Sequence, residues 1–163
     1  MGVAEHIIAS TRWSALREAT GTAERVGSGL SRLLSAATPD EADRAYWEVE
    51  NHAVVQGSLF EAAEASVSVL VAAFADERPR HVRIAALELL FQLLSGAPAA
   101  AHEVPRDIVE RCRSAAREGL WCLAREAASG ERRAALDVLE LLHLGGRLDT
   151  IRAWGETADG SDG

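Results

Sequence analysis

The residues best placed to do chemistry stand in one stretch, Tyr46-Trp47-Glu48-Val49-Glu50-Asn51-His52-Ala53-Val54-Val55-Gln56-Gly57. Read as a helix, it lines up Glu48, His52 and Gln56 at every fourth position, with Asn51 at their flank. A histidine between carboxylates could serve as a general base. The same spacing also describes a plain helix-face pair of Glu48 and His52, with Asn51 and Gln56 satisfying backbone groups at the helix end. Further along, Glu88 and Gln92 repeat the pattern. If both sets face one groove, it holds two carboxylates, an imidazole and two amides. Tyr46 and Trp47, beside Glu50 and Asn51, could edge a partner-binding surface, since large aromatics are enriched at binding hot spots.

Other chemistries lack their residues. Carboxylate-bridged dimetal bundles use Glu-x-x-His pairs, whereas Glu48 stands four residues before His52 and Glu50 two. His6, His81, His102 and His143 are scattered, so neither a metal nor a cofactor is expected. There is no Gly-x-Ser-x-Gly elbow, Walker loop or Rossmann glycine pattern. Cys112 and Cys122 lie ten apart on one predicted helix, about 15 Å along its axis and beyond disulfide reach. Both read as reduced packing residues, and the chain is expected not to be an enzyme.

The elements that position these residues are helical. The 58–96 stretch reads as two helices around a polar break at Asp76-Glu77-Arg78-Pro79, because proline fits a helix's first turn but not its interior. Phe60, Ala63, Val67, Leu70, Val71 and Phe74 form one apolar stripe on the first. The second, from about 80 to 95, is apolar almost all round and must be covered by neighbours. Thr38-Pro39-Asp40-Glu41 is a helix start, with Thr38 as N-cap, Pro39 in the first turn and Glu41 closing a capping box. That helix is predicted to reach Gln56, with Gly57 terminating it and Ser58-Leu59-Phe60-Glu61 capping the next at once. A helix is expected over 23–36 despite the weakening glycines at 27 and 29. Short helices are expected within 5–19, one long helix over 105–128 and a last core helix over 131–144. Leu148, Ile151 and Trp154 are read as a closing turn. One tryptophan per unit (Trp13, Trp47, Trp121, Trp154) suggests spacers between packed helices.

The chain also repeats itself. Residues 83–96 align without gaps on 132–145 at an offset of 49, and 42–56 align less well at an offset of 40, which sets Glu48 over Glu88 and His52 over Gln92. Three helix pairs follow, 23–56, 58–96 and 105–145, each closing on a helix with a carboxylate at one place: Glu48, Glu88, Asp137. A two-helix period of this length is the HEAT/armadillo pattern, in which pairs stack to bury one another's faces. The expected fold is all-α: a short right-handed alpha-solenoid of about three HEAT-like pairs with N-terminal cap helices. One domain is expected over 1–154 and a disordered acidic tail over 155–163. The run Trp13-x2-Leu16-x2-Ala19-x-Gly21-x-Ala23-x2-Val26, followed by Gln56-Gly57-Ser58, Phe60 and Ala62-Ala63, is similar to small HEAT-repeat-like proteins from actinobacteria. In those, a histidine usually precedes the Gln-Gly pair, where this chain has Val55. The resemblance covers about residues 11–95 and implies the fold rather than an activity.

Charge narrows the partner. The 163 residues carry 25 acids against 17 bases, a net charge of −8. All the bases are arginine, and those at 111, 113, 117, 132 and 133 are interleaved with Glu110, Glu118 and Glu131. That is a mixed-charge surface rather than a nucleic-acid footprint. No apolar run is long enough for a membrane span and no signal peptide is read, so a cytoplasmic protein is expected. The function expected is a non-catalytic interaction module. It would hold a basic protein partner on an acidic concave face through Tyr46, Trp47, Glu48, Asn51, His52, Gln56, Glu88, Gln92 and Asp137, as an immunity or inhibitor protein would. The alternative is a small-molecule pocket or minor enzyme site around Glu48, His52, Gln56 and Glu88. Oligomeric state is left open.

Overall fold

The computed structural model describes residues 1–100 and 103–159, so His102 and residues 160–163 of the expected tail lie outside the described residues. Nine α-helices follow in order among the described residues: α1 (Val3–Ser10), α2 (Glu24–Leu34), α3 (Pro39–Ala53), α4 (Ala62–Ala73), α5 (Arg80–Ser95), α6 (Ile108–Glu118), α7 (Leu120–Ser129), α8 (Arg132–Glu140) and α9 (Gly146–Asp159). Two-residue strands occupy the gaps: β1 (Arg17–Glu18) with β2 (Gly21–Thr22), and β3 (Val54–Val55), β4 (Ser58–Leu59) and β5 (Ala97–Pro98) as one small sheet. The described residues are mostly helical, and these clips are their only strands.

Its centre is the pair α4–α5. Val82, Leu87, Leu89, Leu90, Leu93 and Leu94 of α5 are each no more than 1% exposed, as a helix apolar on most of its sides requires. Burying each leucine contributes about 1.5–3 kcal/mol relative to leaving it in water. Helix α5 packs against α3 on one side and α8 on the other, so these three lie side by side. Behind them α4 touches α2, α6 and α7, while α1 covers α4, and α9 closes the far end on α7 and α8. Thr38 caps α3 as expected, its Oγ1 accepting from the Glu41 N–H at 3.3 Å, while the Glu41 carboxylate accepts at 2.8 Å from the N–H of Ala37, one residue before the cap, rather than from that of Thr38.

Four expectations need correction. First, α3 stops at Ala53 rather than Gln56. The backbone turns through Gln56 (φ 50) and Gly57 (φ 78), a two-residue reversal that pairs β3 with β4. Ser58 therefore caps nothing, and α4 begins at Ala62. Second, the helix expected over 105–128 is two. Gly119 divides α6 from α7 where the chain passes so close to α4 that a Cβ would run into Val71 Cγ1. Cys112 and Cys122 thus sit on different helices. Third, the closing turn is a full helix, α9, which continues to Asp159 through the start of the expected tail. Fourth, only Trp13 is buried among the tryptophans; Trp47, Trp121 and Trp154 are 50%, 67% and 48% exposed. The buried Trp13 explains Gly27, where a Cβ would stand 2.7 Å from the indole nitrogen. That glycine lowers helix propensity but lets an indole lie flat on α2.

Candidate functional site

The side-by-side placement of α3, α5 and α8 makes a groove, of about 470 Å³, on the face they share. Helix α3 contributes Asp43, Tyr46 and Trp47; α5 contributes Leu87, Glu88, Phe91 and Gln92; α8 contributes Ala134 and Asp137. A second recess of about 360 Å³ continues it between α3 and α5 towards Asp40 and His81, sharing Asp43, Tyr46 and Glu88. Leu87, 1% exposed, ties the floor to the core. Above it Trp47 and Phe91 keep 50% and 41% of their surface in water, which a free surface does not favour for such large apolar groups. The Tyr46 ring meets Trp47 edge-on, centroids 5.2 Å apart and planes at 90°.

Charge in the groove has one sign. Among the described residues Asp43, Glu88 and Asp137 form no ion pair, although eight arginines elsewhere each find a carboxylate: Arg32, Arg78, Arg80, Arg83, Arg111, Arg113, Arg117 and Arg152. Tyr46 senses this field. Burial pushes its phenol above the ordinary value, and the charges of Glu88, Glu50 and Asp43 push the same way.

Five of the nine expected site residues meet there: Tyr46, Trp47, Glu88, Gln92 and Asp137. Glu48 does not. It is bound from the α2 side, its Oε2 accepting from Arg32 Nε at 3.0 Å while the Arg32 Nη2 reaches Oε1. His52 turns to the N-terminal hairpin, with Nδ1 2.7 Å from Oε2 of Glu18. Those two atoms are close but not aligned as a hydrogen bond. Gln56 lies in the β3–β4 turn and Asn51 is exposed on α3. The alternative pocket of Glu48, His52, Gln56 and Glu88 is therefore not assembled.

No family model, curated protein or solved structure compared with the chain matches it.

Two groove residues escaped the sequence reading, Asp43 and Phe91. Aligning α3 on α5 at an offset of 40 put Glu48 in register with Glu88, but it is Trp47 that faces the groove. One residue of slip rotates a side chain by about 100° around a helix, enough to send Glu48 to the α2 side. The signal was present: Asp43 with Trp47, and Glu88 with Phe91, are acid–aromatic couples one helical turn apart. Glu18 was missed because nothing in its sequence marks it as buried. It is 4% exposed, accepts from Thr20 Oγ1 at 2.9 Å, and lies on a hairpin tied down by the Ala19 N–H bond to the His52 carbonyl.

As for other chemistry, among the described residues no group of three or more His, Cys, Asp or Glu is placed to hold a metal ion. Cys112 is wholly buried; burial pushes its thiol up to about 12, with the Glu64 charge adding to it, so at neutral pH it is not a thiolate. The arginines at 111–117 are engaged by Glu64, Glu110 and the Leu142 carbonyl. No helix among the described residues is long and apolar enough to cross a membrane.

Proposed function

We propose that the protein is a non-catalytic interaction module that holds a basic protein partner in the groove over α3, α5 and α8. The observation that carries this is the coincidence, in one recess, of exposed Trp47 and Phe91 with three carboxylates that no arginine neutralises. Aromatic side chains in the middle supply the desolvated contact, and the acids supply on-rate and choice of partner. The two-layer order of helices fits a short right-handed alpha-solenoid of three HEAT-like pairs, and the repeat of Glu88 at Asp137 fits such stacking. Small size and strong acidity suit an inhibitor or immunity protein that masks a basic toxin or nuclease, within the cytoplasm. This is also the form that the likeness to small actinobacterial HEAT-repeat-like proteins allows.

The test is capture from the source cell's lysate with tagged wild type, Glu88→Arg and Glu118→Arg. Glu118 is exposed on α6, in the other layer, so its reversal changes net charge equally without touching the groove. A stoichiometric basic protein retained by wild type and Glu118→Arg but lost from Glu88→Arg supports the reading. A partner held equally by all three would place the interface elsewhere and overturn it.

A further inference from the structure

Resting on the groove as the partner site, we propose that what it reads is arginine rather than positive charge in general: at least two arginine side chains of the partner protein. Asp43 and Trp47 stand one turn apart on α3, Glu88 and Phe91 one turn apart on α5, and all four line the same recess. A guanidinium is flat and weakly hydrated, so it can lie on an aromatic face while its in-plane N–H groups reach a carboxylate. An ammonium is compact and strongly hydrated, and gains from the acid while keeping its water. A groove selecting for charge alone needs only the acids. This one also leaves Trp47 and Phe91 half in water beside them, where a guanidinium would cover apolar surface that lysine leaves wet. Packed helices lie about 8–10 Å apart, so the couples on α3 and α5 call for two arginines at about that separation, with Asp137 on α8 extending the track.

The test uses hexa-arginine and hexa-lysine peptides with the full-length protein at neutral pH and low salt, followed by calorimetry. Hexa-arginine should bind at least about fivefold more tightly than hexa-lysine. Trp47→Leu with Phe91→Leu should reduce that ratio to near one while leaving salt-sensitive binding. Glu88→Gln with Asp137→Asn should weaken both peptides together. Equal binding of the two peptides by wild type would overturn the arginine reading and leave a basic partner standing. Binding of neither would overturn both. Tetramethylammonium competing as well as arginine would make the groove a small-cation cage and overturn the protein partner. A concentration-dependent dimer broken by Glu88→Gln would assign it to a second copy of this chain instead.

Discussion

Two recesses of nearly equal volume differ in what their charges do. One, of about 450 Å³, lies beside the α4–α5 turn; the other is the groove of about 470 Å³ over α3, α5 and α8. The first is lined by Asp76, Glu77 and Glu126 but also by Arg78, Arg83 and Arg125, whose guanidinium groups are tied to neighbouring elements even though the Nε atoms of Arg78 and Arg83 stay buried without a partner. Arg83 donates to Glu126 at 2.7 Å, Arg78 to Glu5 at 2.7 Å and to the Leu34 carbonyl, and Arg125 to the Phe74 carbonyl. The second has the acids without the arginines, and aromatics in place of guanidinium groups. The two recesses differ little in volume and differ in whether arginines stand beside the acids. The turn recess spends its charges holding α1, α4, α5 and α7 together, so its residues should govern stability. The groove's residues should govern binding.

The largest effect that would break this contrast is on folding. Arg83→Ala leaves Glu126, 8% exposed, with a buried carboxylate relieved only by the Glu131 N–H at 2.8 Å. Stability to urea should fall by about 2–3 kcal/mol, the range for removing one partner of a mostly buried charged hydrogen bond. Glu88→Ala and Asp137→Ala, on exposed positions without partners, should stay within about 0.5 kcal/mol of wild type. A groove variant as damaging as Arg83→Ala would mean the groove is structural and the contrast false.

The same contrast shows what the sequence made legible. The buried α5 and the capped start of α3 followed from apolar periodicity and from Thr38-Pro39-Asp40-Glu41, which are local physics. The β3–β4 reversal was not legible. Val54 and Val55 continue a helical apolar pattern, and a glutamine with positive φ is not a residue from which a tight turn is read. The groove was half legible: Tyr46, Trp47, Glu88, Gln92 and Asp137 converge, whereas Glu48 and His52 were drawn off by Arg32 and Glu18. Both of those partners come from other elements, and no helical spacing within α3 could reveal them.

A smaller effect sharpens the turn side. Glu5 is half of the contact that ties α1 to Arg78. Partial burial alone would raise its carboxyl, but the Arg78 hydrogen bond, backbone bonds and the Arg78 charge outweigh it, and the folded-state value is lowered below the ordinary 4.5. A lowered carboxyl binds fewer protons folded than unfolded. Its stabilisation is thus present above about pH 4.5 and lost as pH falls through the folded value. Stability measured between neutral pH and pH 3 should decline below about 4.5, and less steeply in Glu5→Gln. A slope as steep in Glu5→Gln as in wild type would mean that the Glu5–Arg78 contact does not carry the acid dependence.

The finest test comes from the groove itself, because Tyr46 is the chain's single tyrosine and its phenolate absorbance reports there alone. Burial, then Glu88, Glu50 and Asp43, raise its pKa above 10, so the folded state keeps its proton longer than the unfolded one. The sign follows: this share of stability is full below about pH 10 and disappears as pH rises through the folded value. Titration near 295 nm should give a midpoint above 10 that Glu88→Gln and Asp43→Asn each move down modestly, since burial remains the larger cause. Glu126→Gln, in the other recess, should not move it. Bound hexa-arginine, charged throughout this range, should lower the midpoint further than either substitution by setting cations beside the phenolate. A midpoint indifferent to Glu88, Asp43 and the peptide would mean that the groove's field does not reach its own aromatic wall, and the distinction between the two recesses would then rest on shape alone.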